Sequence, residues 1–126
     1  MRTISLINGK TYPIYFSFNV LAEMQDRYGD IKEIPVNMEK LKEANWIITS
    51  LINEAIRKKN YDQNLSEHEK TEFEIGVNLP VEPQKLTAII KTVTDAIYDS
   101  MGGEKNVQAM AGKMKASLTE TETRTQ

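Results

Sequence analysis

The 126-residue chain has the length of one ordinary domain, with 40% apolar residues, 27% charged residues and a net charge of −2. This charge gives no electrostatic footprint for DNA or RNA, and the lack of cysteine excludes disulfides, thiolate metal sites and thiol nucleophiles. No run approaches the roughly 20 apolar residues of a membrane span, and the N-terminus does not resemble a signal peptide, so we expect a cytoplasmic protein.

The first predicted element is a β-hairpin over residues 2–16, where two β-prone runs flank an Asn-Gly dipeptide. A two-residue turn would split the apolar side chains between both faces. A three-residue loop with Gly9 in the left-handed region would pair Leu6 with Lys10 and gather these side chains on one face. They are Ile4, Leu6, Tyr12, Ile14 and Phe16. We predict this bulged register, with an edge strand at Pro13, which lacks an amide hydrogen.

The spacing of apolar residues predicts five helices after the hairpin, at about 18–28, 38–59, 66–76, 83–101 and 104–118. Ser17 or Asn19 can cap the first helix, and Gly29 suits its end. We expect a loop around Pro35, and Asn37 as the cap of the second helix. The predicted fold is therefore α+β and mainly α, a single domain over residues 1–118 with the hairpin packed on a bundle of four to five helices.

The long second helix has a broad apolar arc that begins at Leu41. Two signals compete in the third helix: Ser66 and Glu69 have the pattern of a capping box, while the residues at 73–79 alternate with the period of a strand. We favour a helix to about residue 76, followed by an extended link. The fourth helix has a clear apolar face of Leu86, Ile89, Ile90, Val93, Ile97 and Met101, and two glycines follow it.

Trp46 is the only tryptophan, and it falls about 160° from the centre of the apolar arc of its helix, beside Ser50, Asn53 and Arg57. Two interpretations stay open. Either another element of the same chain covers Trp46, or it contacts another chain, as tryptophan often does at binding hot spots. We take Trp46, Asn53 and Arg57 as candidate partner-binding residues.

The last predicted helix carries a second candidate surface, the stripe of Val107, Met110, Met114 and Leu118. Methionine side chains adapt to irregular surfaces, so this stripe suits a partner as well as a final core helix. We expect the polar residues 119–126 to be disordered.

Residues with catalytic or ligand chemistry form no recognisable constellation. His68 stands alone, and the acidic residues around it lack the spacing of a calcium loop. The basic run Arg57, Lys58 and Lys59 is explained by a helix C-terminus. We therefore expect no enzyme activity, cofactor or metal. A small helical regulator that binds nucleic acid through this run, Lys113 and Lys115 is the alternative, which the acidic total disfavours.

Three stretches resemble the tail assembly chaperones of long-tailed phages and prophages of Gram-positive bacteria. "ISLINGKTYPIYFSFNVLAEMQDRYG" is similar to the opening hairpin and first helix of the family. "LKEANWIITSLINEAIRKKN" is similar to its central helix with a basic end, and "KLTAIIKTVTDAIYDSMGG" to its last main helix.

The resemblance implies a non-enzymatic protein that binds the tape measure protein in the host cytoplasm and recruits tail tube protein. It also implies a homo-oligomer and a longer, frameshift-extended form of the same protein. The polar C-terminal residues would suit the junction between the short form and such an extension. It implies neither a nucleic-acid partner nor a membrane.

Overall fold

The computed structural model describes residues 1–103 and 105, and the fold within them is α+β and mainly α, as predicted. Within these residues, an antiparallel two-stranded hairpin is followed by five helices. The strands are β1 (Thr3–Ser5) and β2 (Thr11–Pro13), and the helices are α1 (Phe18–Tyr28), α2 (Glu33–Met38), α3 (Leu41–Gln63), α4 (Glu72–Asn78) and α5 (Pro83–Ser100). The helix predicted at 104–118 and the tail at 119–126 lie outside the described residues, apart from Lys105.

The hairpin has the predicted bulged register. Ile4 pairs with Tyr12, and the Leu6 amide donates to the Lys10 carbonyl over 3.0 Å. Gly9 has a φ of 78°, a left-handed conformation that glycine adopts without steric cost. Of the five side chains predicted on the inner face, Tyr12 is partly buried and packs against the core. The other four are buried: Ile4, Leu6, Ile14 and Phe16. The predicted bulged register is therefore confirmed. Its physical cause is that it buries one continuous apolar face, which the two-residue turn would not do.

Local signals set the ends of α1 and α5. Ser17 caps the start of α1, and Gly29, with a φ of 85°, ends it, as predicted. The helix α5 ends in a turn in which the amides of Gly102 and Gly103 donate to carbonyls one turn back, over 3.1 and 2.8 Å. Its last residue, Ser100, lies one position before the predicted end.

The predicted loop after α1 is wrong, because the residues around Pro35 form the short helix α2. Pro35 lies in its first turn, where a missing amide hydrogen leaves no helical hydrogen bond unmade. Asn37, expected to cap the next helix, is instead buried inside α2 and donates its side-chain amide to the Glu33 carbonyl over 2.6 Å. Lys40 takes the N-cap position of α3.

The central helix α3 begins three residues later and ends four residues later than the predicted range of 38–59. Asn64 ends it in a left-handed conformation with a φ of 53°. Lys58 and Asp62, one turn apart, form an ion pair of 2.8 Å that supports the last turns. The polar composition after residue 59 therefore marks a solvated helix surface and not the end of the helix.

The helix predicted at 66–76 starts six residues later, as α4. Thr71 and Glu74 form its capping box in place of Ser66 and Glu69. The Glu74 amide donates to the Thr71 hydroxyl over 3.1 Å, and the Thr71 amide donates to the Glu74 carboxylate over 3.2 Å. The capping box at Thr71 and Glu74 was not predicted from the sequence.

The helix α3 lies at the centre of the fold. All ten residues from 47 to 56 are buried, because the hairpin, α1, α2 and α4 contact α3 from different sides. Buried side chains of α5 complete the core and include Ile89, Val93 and Ile97. The polar residues in the buried stretch of α3 are Thr49, Ser50, Asn53 and Glu54, and the side chain of each has a hydrogen-bond partner.

Candidate interaction surface

The C-terminal end of α1 covers the indole of Trp46. The Tyr28 ring meets it edge to face, with the centroids 5.8 Å apart and the planes at 90°. The guanidinium carbon of Arg27 lies 4.4 Å from the indole centroid, in range of a cation–π interaction. Trp46 is half-buried and packs against the core. Of the two interpretations, an element of the same chain does contact Trp46, while a partner contact on its remaining surface stays a prediction.

Electrostatic contacts fix Arg27 in this position. Its guanidinium donates two hydrogen bonds to the Glu43 carboxylate, of 3.1 and 2.7 Å. These bonds hold the pKa of the Glu43 carboxyl below its ordinary value and raise the pKa of Arg27. Beside them, burial and then the Glu43 charge raise the pKa of Tyr28, and the neighbouring Arg27 guanidinium partly opposes this shift. Among the described residues, no group lies in ordinary hydrogen-bonding geometry to the Tyr28 hydroxyl. The cluster thus holds a bidentate ion pair next to an unpaired buried hydroxyl.

Asn53 and Arg57 hold the segment between α3 and α4. The side-chain amide of Asn53 donates to the Lys70 carbonyl over 2.8 Å and its oxygen accepts the Lys70 amide over 2.7 Å. Arg57 contacts the carboxylates of Glu69 at 2.7 Å and Glu54 at 3.4 Å. Trp46 contacts α1 instead, so the structure does not bring the three predicted residues together on one open surface. Partner binding by Asn53 and Arg57 stays a prediction. A partner would have to compete with the hydrogen bonds and ion pairs that these side chains already make.

A series of asparagines along α3 was missed by the sequence reasoning. Asn45 donates to the Glu72 carbonyl over 3.0 Å. Asn60 bonds to both backbone groups of Glu67, at 2.9 and 3.0 Å, as Asn53 does with Lys70. Their spacing of eight and seven residues keeps all three on one face of α3. This spacing was the only signal in the sequence. Through these bonds, the backbones of Glu67 and Lys70 in the non-helical segment, and of Glu72 at the start of α4, receive hydrogen-bond partners from α3.

Large apolar side chains on and near α4 are open to solvent. Phe73 is 79% exposed and Val77, one helical turn later, is 56% exposed. We call this pair the α4 flank. Val81 follows α4 and is 95% exposed. Leu41, predicted in the buried arc of α3, is instead 68% exposed, one turn before the Asn45 that contacts α4. The α4 flank was not among the predicted partner-binding residues, although its i, i+4 spacing was visible in the sequence.

The basic run at the end of α3 is paired with carboxylates. Lys58 contacts Asp62 at 2.8 Å, and Lys59 lies 3.6 Å from Glu67. With Arg57 engaged as described, a phosphate ligand would have to compete for all three cations. Lys113 and Lys115, the other residues of the nucleic-acid alternative, lie outside the described residues.

The remaining predictions concern residues with little geometric context. Val107, Met110, Met114 and Leu118 lie outside the described residues, and their partner binding stays a prediction. Among residues 1–103 and 105, no group of three or more acidic, histidine or cysteine side chains has the arrangement to hold a metal ion. No helix in that part of the chain has both the length and the apolar character needed to cross a bilayer.

Comparisons with known proteins do not identify a relative. No protein-family model, curated protein or solved structure matches this chain. A functional assignment therefore depends on the residues and on their arrangement.

Proposed function

We propose that this protein is a non-enzymatic tail assembly chaperone of a long-tailed phage or prophage, which binds the tape measure protein in the host cytoplasm and assists assembly of the tail tube. Its family resemblance spans the hairpin, α1, α3 and α5. The observation that carries the proposal is the exposed α4 flank. A folded domain that keeps Phe73 and Val77 in solvent has a surface suited to burial against a client.

The spacing of the α4 flank suits a helical client. Two apolar side chains one turn apart interlock with the i, i+4 pattern of another amphipathic helix. Burial of a fully exposed apolar side chain contributes about 1.5–3 kcal/mol before the costs of association are subtracted, and Val77, which is 56% exposed, contributes correspondingly less. One such contact is weak and reversible, as release of the client during tube assembly requires. Many copies bound along one elongated client would raise the total affinity.

The other proposed partners come from the family resemblance. Self-association would place several α4 flanks in series along the tape measure protein, and a frameshift-extended form of the chain would add a region able to recruit tail tube protein. Trp46 and the stripe of Val107, Met110, Met114 and Leu118 are further proposed contacts, with the uncovered surface of the Trp46 indole available to a partner.

Co-expression with the tape measure protein of the same genome tests the proposal. We expect the wild-type chain to keep the tape measure protein in solution and to co-purify with it. The double substitution Phe73→Ser and Val77→Ser should reduce co-purification at least tenfold. Both side chains are exposed, so the circular dichroism spectrum and the urea midpoint should stay within error of the wild type.

Phe18→Ser is the control, because Phe18 on α1 is 82% exposed and its substitution removes the same exposed side chain as Phe73→Ser does. The proposal would be overturned if the double variant retained the client, or if Phe18→Ser reduced binding equally. Failure of the wild-type chain to bind any tape measure segment would overturn it as well.

A further inference from the structure

A second open surface lies between β2 and α3. It is a groove of about 400 Å³ whose floor is formed by Ile52, Ala55 and Ile56 of α3. Tyr12 and Pro13 of β2 form one wall. The three floor side chains are at most 7% exposed, so the groove is a shallow depression over a packed core and not a defect in it. It shares no residue with the α4 flank.

The outer edge of β2 borders this groove. The Leu6 amide bonds to the Lys10 carbonyl and the Ile14 amide to the Arg2 carbonyl, so alternate residues of the second strand face β1. The backbone groups of Thr11 therefore face away from β1. They have no backbone partner among residues 1–103 and 105, and they form an edge to which an extended chain can bond.

The rim of the groove is basic although the whole chain is acidic. Lys10, Lys59 and Lys70 line it together with a single carboxylate, that of Glu67. Glu67 lies 3.6 Å from Lys59, while Lys10 and Lys70 have no ion-pair partner within the part of the chain that the structure describes. Two ammonium groups beside an apolar floor are complementary to carboxylates on an apolar segment.

We propose that this groove binds an extended, acidic segment of a partner protein, which adds to the outer edge of β2 as a third strand. Side chains of a strand alternate between its faces. Apolar residues at every second position would therefore lie on the floor, and the acidic residues between them would reach Lys10 and Lys70. Pro13 cannot donate a backbone hydrogen bond, so Thr11 supplies the donor of this edge and the side chains supply most of the affinity.

Fluorescence anisotropy with synthetic nine-residue peptides tests this proposal on the full chain. The probe alternates valine and glutamate, and a second peptide alternates valine and lysine. We expect the acidic probe to bind at least tenfold more tightly than the basic one, with an affinity that falls as salt is raised. Equal binding of both peptides, or no binding of the acidic probe, would overturn the proposal.

Two double variants of the protein separate specific binding from general charge attraction. Lys10→Glu combined with Lys70→Glu should weaken binding of the acidic probe at least tenfold. The control, Lys32→Glu combined with Lys40→Glu, makes the same charge change on exposed residues away from the groove and should alter binding less than twofold. Equal effects of the two pairs would contradict a groove.

A third comparison tests strand addition with the protein left unchanged. Methylation of alternate backbone amides of the acidic probe keeps every side chain but prevents pairing with β2 along one edge of the peptide. Two such peptides, methylated on opposite sets of amides, cover both edges. We expect at least one of them to bind tenfold more weakly, and unchanged binding of both would refute addition to β2.

Discussion

Asn53 and Asn60 allow a direct measurement of what burial adds to the same pair of hydrogen bonds. Each side chain bonds to the amide and the carbonyl of one residue in the segment after α3, over 2.7–2.8 Å at Lys70 and 2.9–3.0 Å at Glu67. Asn53 is 8% exposed, while Asn60 and Glu67 bond at the surface. Substitution of each by alanine removes equivalent bonds from two environments.

The structure predicts unequal losses of stability. Asn53→Ala leaves the Lys70 amide and carbonyl in a partly buried position, where each unpaired group costs about 1–3 kcal/mol. After the gain in helix propensity of about 0.5 kcal/mol from asparagine to alanine, we expect a net loss of at least about 1.5 kcal/mol. For Asn60→Ala, water replaces the lost bonds and the same propensity gain applies, so we expect a change below about 0.5 kcal/mol.

Urea denaturation followed by circular dichroism measures the difference. With a denaturant dependence of about 1–3 kcal/mol per molar urea, Asn53→Ala should lower the midpoint by at least about 0.5 M, and at least about three times as far as Asn60→Ala does. Asn53→Asp separates the two bonds. It keeps the oxygen that accepts from the Lys70 amide, but it replaces the group that donates to the Lys70 carbonyl with a second oxygen. Equal midpoint shifts for the two alanine variants would refute the reasoning. Loss of client binding by Asn53→Ala at unchanged stability would favour the partner-binding role predicted from the sequence.

Two further predictions concern the cluster around Trp46. Tyr28→Phe removes a buried hydroxyl that has no partner among the described residues, and it keeps the edge-to-face ring contact. We therefore expect the free energy of unfolding, measured by urea denaturation, to rise by about 1 kcal/mol. A loss of stability would show that the hydroxyl is bonded. Because Arg27 depresses the pKa of the Glu43 carboxyl in the folded state, this pair contributes stability above the ordinary pKa of 4.5, and the contribution is lost as pH falls through the lower folded value. Thermal unfolding of Glu43→Gln should therefore show a weaker loss of stability with acid than the wild type, and identical pH profiles would contradict this.

The sequence predicted those parts of the fold that depend on neighbouring residues. The Asn-Gly turn and the alternating apolar residues determine the hairpin register, and Ser17 and Gly29 determine the ends of α1. The period of α5 and its two final glycines determine that helix almost to the residue. In each case the decisive interactions lie within one turn of helix or one hairpin, so a short window of sequence contains them.

The candidate surfaces could be predicted only in part. Trp46 was singled out correctly as lying off the main apolar arc, but a wheel of one helix does not show that α1 returns to place Tyr28 against it. The exposed Phe73 and Val77 were hidden by an ambiguity between strand and helix, which the capping box of α4 resolves.

Tertiary structure decided the elements whose local signals were balanced. The predicted capping box at Ser66 does not start a helix: the backbones of Glu67 and Lys70 bond to Asn60 and Asn53 of α3, and a box at Thr71 caps α4 instead. The central position of α3 likewise buries residues 47–56 on all sides, both the apolar ones and the polar Thr49, Ser50, Asn53 and Glu54. Sequence periodicity determines which face of a helix prefers burial, but only the packing of distant segments determines how many faces are covered and which backbone groups receive their hydrogen bonds from afar.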